Sequence, residues 1–400
     1  MSRTAVQWLA KPRLPDDHYV ASSIYTNETI FQEEREKIFA HTWKFICHES
    51  ELPKPGDFRT AEHVGKPILV VRDPEGMVQT FYNACPHRGA KLVHEPRGNA
   101  RNFTCFFHLW SFNTQGECIE MTAPKGFDEC GLTPKDCGLR KVKTALKYGM
   151  VFINLDDQAE DFDAHVGDIM DTIAEPLGTV PLEVFHIHRV VINCNWKQWH
   201  ETNMEAYHEW GHVVNRTTGI VAEGYNDMEW VIHPNAHATI KPPKPLEIKY
   251  DNYKGFDKRD AKPLPGLTGS EFRVVDLFPN TTVILRATTA RIDTCIPVAP
   301  GITILEQRGL GILGESAEDR AERVKHHNQY WGPMGRNISE DVLFVEAVNA
   351  TNRQRTSEYG LLARRQGGKG QDDEVIRAYY RTWGRIMGRM ASDPLNPAAV

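Results

Sequence analysis

The sequence predicts an α+β protein in which a small antiparallel β domain precedes a larger region where strands and helices segregate. Three observations carry this. Up to about Asp157 the chain is made of short apolar runs broken by Pro, Gly and Asp turns. Beyond it, blocks of strand-like sequence are separated from stretches of helical periodicity. The last long segment, Asp373–Met390, places Ile376, Tyr379, Tyr380, Trp383 and Met387 on one face. Acidic residues open that segment and Arg385 and Arg389 close it, which matches the helix dipole.

In chain order, a first helix is expected over Glu28–Phe39, with Ile30, Phe31, Ile38 and Phe39 on one stripe. Lys66–Arg72, Val78–Asn83 and Met150–Asn154 read as strands of the β domain. The acidic segment Ala159–Glu175 reads as a connecting helix. Val184–Cys194, Glu229–His233, Thr282–Thr288 and Ile302–Arg308 read as strands. Asn195–His212, Ala317–Trp331 and Ser339–Thr351 read as helices. The run Arg364–Gly370 (RRQGGKG) is expected to be a mobile loop.

The 400 residues are 40% hydrophobic and 25% charged, as in ordinary globular proteins, and the net charge is −6, which disfavours a nucleic-acid partner. No apolar run approaches the length needed to span a membrane, and Met1–Pro12 lacks the apolar centre of a secretory signal, so a cytoplasmic protein is expected. The eight cysteines are scattered, unlike a disulfide framework. Cys47, Cys118, Cys130, Cys137, Cys194 and Cys295 are expected to be buried, reduced thiols. No Gly-x-Gly-x-x-Gly follows a strand, so neither a flavin nor a nicotinamide site is signalled.

Two short Cys–His pairs stand apart. Cys85-Pro-His87 is followed, after seventeen residues, by Cys105-Phe-Phe-His108. Such pairs suit two tight loops converging on one metal centre. Thiolates stabilise ferric iron. Neutral imidazoles on a second iron carry less charge and raise the potential, to roughly −150 to +300 mV across Rieske centres. A structural zinc site built from the same four ligands is the alternative.

The residues CPHRGA from Cys85 and CFFHLW from Cys105 resemble the cluster loops of Rieske non-haem iron oxygenases, and Arg88-Gly89 and Trp110 fit that pattern. Neither loop has the additional cysteine of the respiratory Rieske proteins, which favours the oxygenase branch. Phe107 and Leu109 depart from the Tyr and Gly that the family often has. Losing a tyrosine hydroxyl near a cluster sulfur implies a lower potential.

The segment NWKQWHETNMEAYHEWGH ends with Glu205, His208 and His212 at i, i+3 and i+7, a spacing that shares one face of a helix. Two imidazoles and one carboxylate are the donor set of non-haem Fe(II) oxygenases. The stretch is similar to the family's iron-binding helix, with Glu205 in place of Asp, three rather than four residues between the histidines, and Thr202 in place of Asn. The resemblance implies that Glu205 links His108 of one subunit to His208 of its neighbour. It implies a third ligand far downstream, for which Asp341 in Ser339-Glu340-Asp341 fits. Glu346 is the runner-up, and Glu205 itself is a further candidate.

The resemblance spans roughly Ile24 to Met390 and implies the large, alpha subunit of an aromatic ring-hydroxylating dioxygenase. On this reading residues 1–43 form a helical segment packed on the catalytic domain, 44–157 the [2Fe–2S] domain, and 158–400 a catalytic domain with a helix-covered antiparallel sheet of helix-grip, Bet v1-like form. A [2Fe–2S] cluster and a mononuclear Fe(II) are implied as cofactors. Implied partners are O2, a small aromatic substrate, an NAD(P)H-dependent reductase with or without a ferredoxin, and neighbouring subunits in a homotrimer or an α3β3 ring with a small beta subunit. Dioxygenation of an aromatic acid leads. A monooxygenase or a demethylase acting on an amine or methyl ether uses the same metal sites. Arg286, Arg291 and Arg377 are candidates to pair with a substrate carboxylate. A plain electron carrier is the competing class, for which the chain is far too long.

Overall fold

The computed structural model describes residues 11–213, 216, 228–241, 262–267 and 272–396. The first ten residues of the expected N-terminal segment lie outside them. The chain divides into two compact units, residues 39–159 and residues 1–38 together with 160–400.

The smaller unit is built from ten short strands: β1 Lys44–His48, β2 Asp57–His63, β3 Lys66–Arg72, β4 Val78–Tyr82, β5 Arg97–Asn99, β6 Asn102–Thr104, β7 Ser111–Asn113, β8 Cys118–Glu120, β9 Lys143–Lys147 and β10 Met150–Asn154. They form three antiparallel sheets, ordered β9-β10-β1, β4-β3-β2-β5 and β6-β7-β8. Ile68 and Val70 face one buried cluster with Cys47, Val151 and Ile153. Leu69 and Val71, pointing the other way, join Phe58, Phe81, Phe103, Trp110 and Phe112. Strand β3 is therefore buried on both faces, which explains its continuous apolar sequence. Cys85 and Cys105 are part of the second cluster.

The larger unit is organised on a seven-stranded antiparallel sheet. Its strands are β11 Leu182–Ile192, β12 Glu229–Ile232, β13 Ala238–Lys241, β14 Phe272–Leu277, β15 Thr281–Arg286, β16 Thr289–Ala299 and β17 Ile302–Ile312, in the order β11-β17-β16-β15-β14-β13-β12. Helices α1 Trp196–Asn203, α2 Ala317–Trp331, α3 Ile338–Arg353 and α4 Glu374–Met387 belong to the same unit. Cross-strand register aligns Phe272 with Arg286, Ile284 with Arg291, and Arg291 with Gly309. Since side chains alternate along a strand, these residues and Asp293 share one face of the sheet. His327 of α2 lies against this face at Gly309, where a β-carbon would stand 2.7 Å from the imidazole.

The NWK sequence has a structural explanation. Asn195 caps α1, accepting from the Lys197 N–H in a capping box with Gln198, and its amide donates to the carbonyls of Tyr25 and Pro300. Trp196 Nε1 and Lys197 Nζ both bind the buried Glu34 carboxylate, at 2.9 and 2.7 Å, and Trp383 Nε1 of α4 joins them at 2.7 Å. A buried carboxylate with three donors locks α1 to α4 and to the N-terminal helix.

Four sequence expectations are corrected. The helix expected to run from Asn195 to His212 stops at Asn203, and a separate 3-10 turn covers Tyr207–Gly211. Glu205 explains the break: its Oε2 accepts from the N–H groups of Tyr207 and His208, taking donors that a continuous helix would use. The helix expected over Ala159–Glu175 is three short pieces, interrupted after Val166 where Gly167 adopts φ 60°. The expected loop Arg364–Gly370 is pinned, because Asp372 Oδ2 accepts from the N–H groups of Gln366 and Gly368. Cys130 is exposed, whereas the other thiols are buried.

Candidate metal centres

The two Cys–His loops of the smaller unit have the same backbone construction. The Cys85 N–H donates to Ala90 O and the Gly89 N–H to Cys85 O. The Cys105 N–H donates to Trp110 O and the Leu109 N–H to Cys105 O. Gly89 and Leu109 occupy matching positions, both left-handed, at φ 72° and 58°. A leucine there carries a backbone strain of roughly 1–2 kcal/mol that glycine would avoid.

These turns bring the thiols of Cys85 and Cys105 into mutual contact in the core and leave His87 and His108 half-buried at the edge. The two imidazoles meet edge to face with centroids 4.5 Å apart, and Trp110 stacks on His87 at 4.6 Å and 9°. Burial, with the neighbouring Cys105 thiol, pushes the Cys85 thiol up to about 11, against the His87 and Arg88 N–H groups that pull it down. Burial lowers the His87 imidazole, and His108 and Arg88 add to it, so a neutral nitrogen donor is favoured at His87. Paired thiols inside and paired imidazoles outside fit the asymmetric donor set of a Rieske cluster.

In the larger unit the structure brings His208, His212 and Asp341 together, with one ligand atom from each within 4.8 Å of the others. Nε2 of His208 and His212 stand 3.6 and 3.2 Å from Asp341 Oδ1. Asp341 enters from the first turn of α3, and Phe344, one turn on, packs against His212. Close approach of α3 requires Gly211, where a β-carbon would lie 2.9 Å from the Phe344 ring.

Each imidazole is held from behind by a carboxylate. His208 Nδ1 is 2.7 Å from Glu205 Oε1, and His212 Nδ1 is 2.6 Å from Glu340 Oε2, whose other oxygen accepts from the Val213 N–H. The carboxylates therefore hold hydrogen on both Nδ1 atoms and turn Nε2 of each ring toward Asp341. Burial lowers the His208 imidazole, but the charge and hydrogen bond of Glu205, with Asp341 and Glu209, outweigh it and carry the group up to about 10. His212 is raised in the same way, with Asp341 and Glu209 overcoming burial. The buried His212 Nε2 and Asp341 Oδ1 make no hydrogen bond of acceptable geometry. A pocket of orphaned donors with excess negative charge fits a divalent cation. Glu205 lies on the Nδ1 side of His208, away from this focus, and Glu346 binds the N–H and side chain of Asn193 instead.

Glu340 had no role assigned from the sequence. The signal was two adjacent acids opening one helix, of which one faces the imidazole nitrogens and the other their back.

A cavity of about 60 Å³ adjoins His208 and Asp341, and its remaining wall includes Trp230, Phe272, Arg286, Arg291 and Trp331. Arg377 is not in it, being buried between Asp372 and Glu374 and donating to the carbonyls of Leu362 and Arg364.

Residues 42–139 match the Rieske [2Fe-2S] domain family, and residues 180–389 match the ring hydroxylating alpha subunit (catalytic domain) family. The 2-aminobenzenesulfonate 2,3-dioxygenase subunit alpha of Alcaligenes sp is 39% identical, covering 98% of this chain and 99% of its own. The methanesulfonate monooxygenase hydroxylase subunit alpha of Methylosulfonomonas methylovora is 36% identical, covering 99% and 97%. The crystal structure of naphthalene 1,2-dioxygenase from Rhodococcus sp. superposes with a TM-score of 0.77 at 20% identity, covering 92% of this chain and 94% of that one.

The chain belongs to the ring-hydroxylating alpha-subunit family of Rieske oxygenases. It is the alpha subunit of a Rieske oxygenase, an oxidoreductase whose cofactors are a [2Fe–2S] cluster and a mononuclear iron. It acts on a small molecule and takes electrons from a reductase or ferredoxin. No helix among the described residues is long and apolar enough to cross a membrane.

Proposed function

We propose that Cys85, His87, Cys105 and His108 hold the cluster and that His208, His212 and Asp341 hold the iron, for hydroxylation of an aromatic acid or arylsulfonate. The observation that carries this is the triad beside a cavity, with His212 and Asp341 buried and each imidazole backed by its own carboxylate. The substrate class is supported by the aromatic wall of Trp230, Phe272 and Trp331, and by the sulfonates named in two relatives that span the whole chain. Residues 44–157 are assigned to the cluster domain and 158–400 to the iron domain; of the N-terminal segment, residues 11–38 group with the iron domain and 39–43 with the smaller unit. The working assembly is a cytoplasmic trimer, α3 or α3β3.

The roles of the chain's own residues follow. Glu205 keeps the proton on His208 Nδ1, orients the ring, and links it to His108 of a neighbouring subunit. Glu340 does the same orienting work for His212. The cavity holds the ring against Trp230 and Trp331, beside the triad. The bound iron supplies the chemistry of O2 activation. Dioxygenation balances as arene plus O2 plus two electrons and two protons giving a cis-dihydrodiol.

The test is turnover of arylsulfonates and benzoates by the iron-loaded protein with a compatible reductase under labelled O2. Coupled product carrying both labelled oxygens is expected. One labelled oxygen per product would convert the reading to a monooxygenase, and O2 uptake unchanged by every aromatic acid would overturn the substrate class.

A further inference from the structure

Two arginines in the cavity wall are not used by the metal chemistry. Arg286 ends β15 and Arg291 lies on β16, on the same face of the sheet. Both are only 3% exposed. The Arg286 guanidinium lies between the rings of Phe272 and Tyr330, 4.8 and 4.9 Å from their centroids. Arg291 lies 5.1 Å over Trp331, with Nη2 2.7 Å from Asp293 Oδ2. Asp293 is shared, accepting also from Gln307 Nε2 at 3.0 Å, and burial raises its carboxyl despite Arg291. Nε of Arg291 is buried and makes no hydrogen bond.

The buried Nε of Arg291 is a donor whose hydrogen bond remains to be made, and an anion would satisfy it. A planar guanidinium held between rings is fixed in orientation and loses little entropy when it binds an anion. Neither group serves the iron, whose triad already carries excess negative charge. Two ordered guanidiniums in the same cavity as the triad are therefore suited to recognise an anion on the substrate.

We propose that Arg286 and Arg291 form an anion subsite that holds the sulfonate or carboxylate of the substrate and so selects organic monoanions over neutral arenes. This rests on the oxygenase reading above and adds the residues that set its specificity. Asp293 is a positioning residue, holding Arg291 by one edge and leaving Nε for the ligand.

The test is direct binding to the resting holoenzyme, with no reductase present, followed by calorimetry and by quenching of tryptophan fluorescence. The probes are benzenesulfonate, benzoate and the neutral benzenesulfonamide. The wild type should bind at least one of the two anions roughly tenfold or more tightly than the sulfonamide, the size of a charge-assisted hydrogen bond. The tighter of the two identifies the anion. Arg286→Gln should erase most of that preference and Arg286→Lys should retain part of it. Arg291→Gln alone would strand Asp293 in the core, so the paired Arg291→Gln/Asp293→Asn variant is used, and it should also lose the preference. Wild type binding all three probes equally, or both variants keeping the preference, would overturn the subsite. Iron, sulfide and the visible spectrum are measured on the same samples. Protein lacking the metals fails the oxygenase reading, whereas metal-loaded protein indifferent to charge fails only this inference.

Discussion

In the unit of residues 39–159, Cys85, His87, Cys105 and His108 are placed mainly by backbone, through two loops with the same pair of turn hydrogen bonds, with Trp110 stacked on His87. In the larger unit, His208, His212 and Asp341 come from a 3-10 turn and a distant helix, and the imidazoles are placed by side-chain carboxylates, Glu205 and Glu340. The first centre depends on local chain geometry. The second depends on charge and on the docking of α3. Damage should therefore take different forms at the two.

The largest expected effect is at the triad. Asp341→Ala should abolish product formation and remove the mononuclear iron, while sulfide content and the visible spectrum stay unchanged. Loss of the cluster spectrum in that variant would mean that the centres are not independent. Next are the backing carboxylates. Glu340→Gln should weaken iron binding about 10–100-fold, measured by chelator competition, with the cluster again untouched. Glu205→Gln should leave both metals bound at saturating iron yet reduce turnover sharply, and full coupled turnover would remove Glu205 from electron passage.

Changes in the loops should be smaller and confined to the other centre. Phe107→Tyr adds a hydroxyl donor next to His108 and should raise the cluster midpoint potential, with iron affinity unchanged. An unmoved potential would show that the hydroxyl finds no sulfur. Leu109→Gly should relieve the φ 58° strain and stabilise the smaller unit by about 1 kcal/mol in a denaturant melt, since the leucine is more than half exposed and gives up little packing.

The same contrast explains what the sequence disclosed. The cluster loops were legible because their donors and turn residues are contiguous. Strands Lys66–Arg72 and Met150–Asn154 and helix Ala317–Trp331 were read with the bounds they have, because their periodicity is set by burial on fixed faces. The helix break at Glu205 was not legible, since Glu is a good helix former and its capping of two N–H groups exists only in the folded turn. Strand Thr289–Ala299 was missed because it carries the charged Arg291 and Asp293 although both of its faces are buried from Thr289 to Cys295, so it lacks the continuous apolar run expected of a strand covered on both sides. Glu340 was passed over because nothing local distinguishes it from a helix N-terminal acid. Its partner, His212, lies 128 residues away.

One measurement bears on all of this at once: iron and acid-labile sulfide analysis of the purified protein, with electron paramagnetic resonance after reduction and, separately, after exposure to nitric oxide. Two distinct iron populations are expected, a reducible two-iron cluster with its sulfide and a lone ferrous ion that yields a high-spin nitrosyl, the second alone disappearing in Asp341→Ala. Zinc in place of iron with no sulfide, or a nitrosyl signal that survives Asp341→Ala undiminished, would contradict the account.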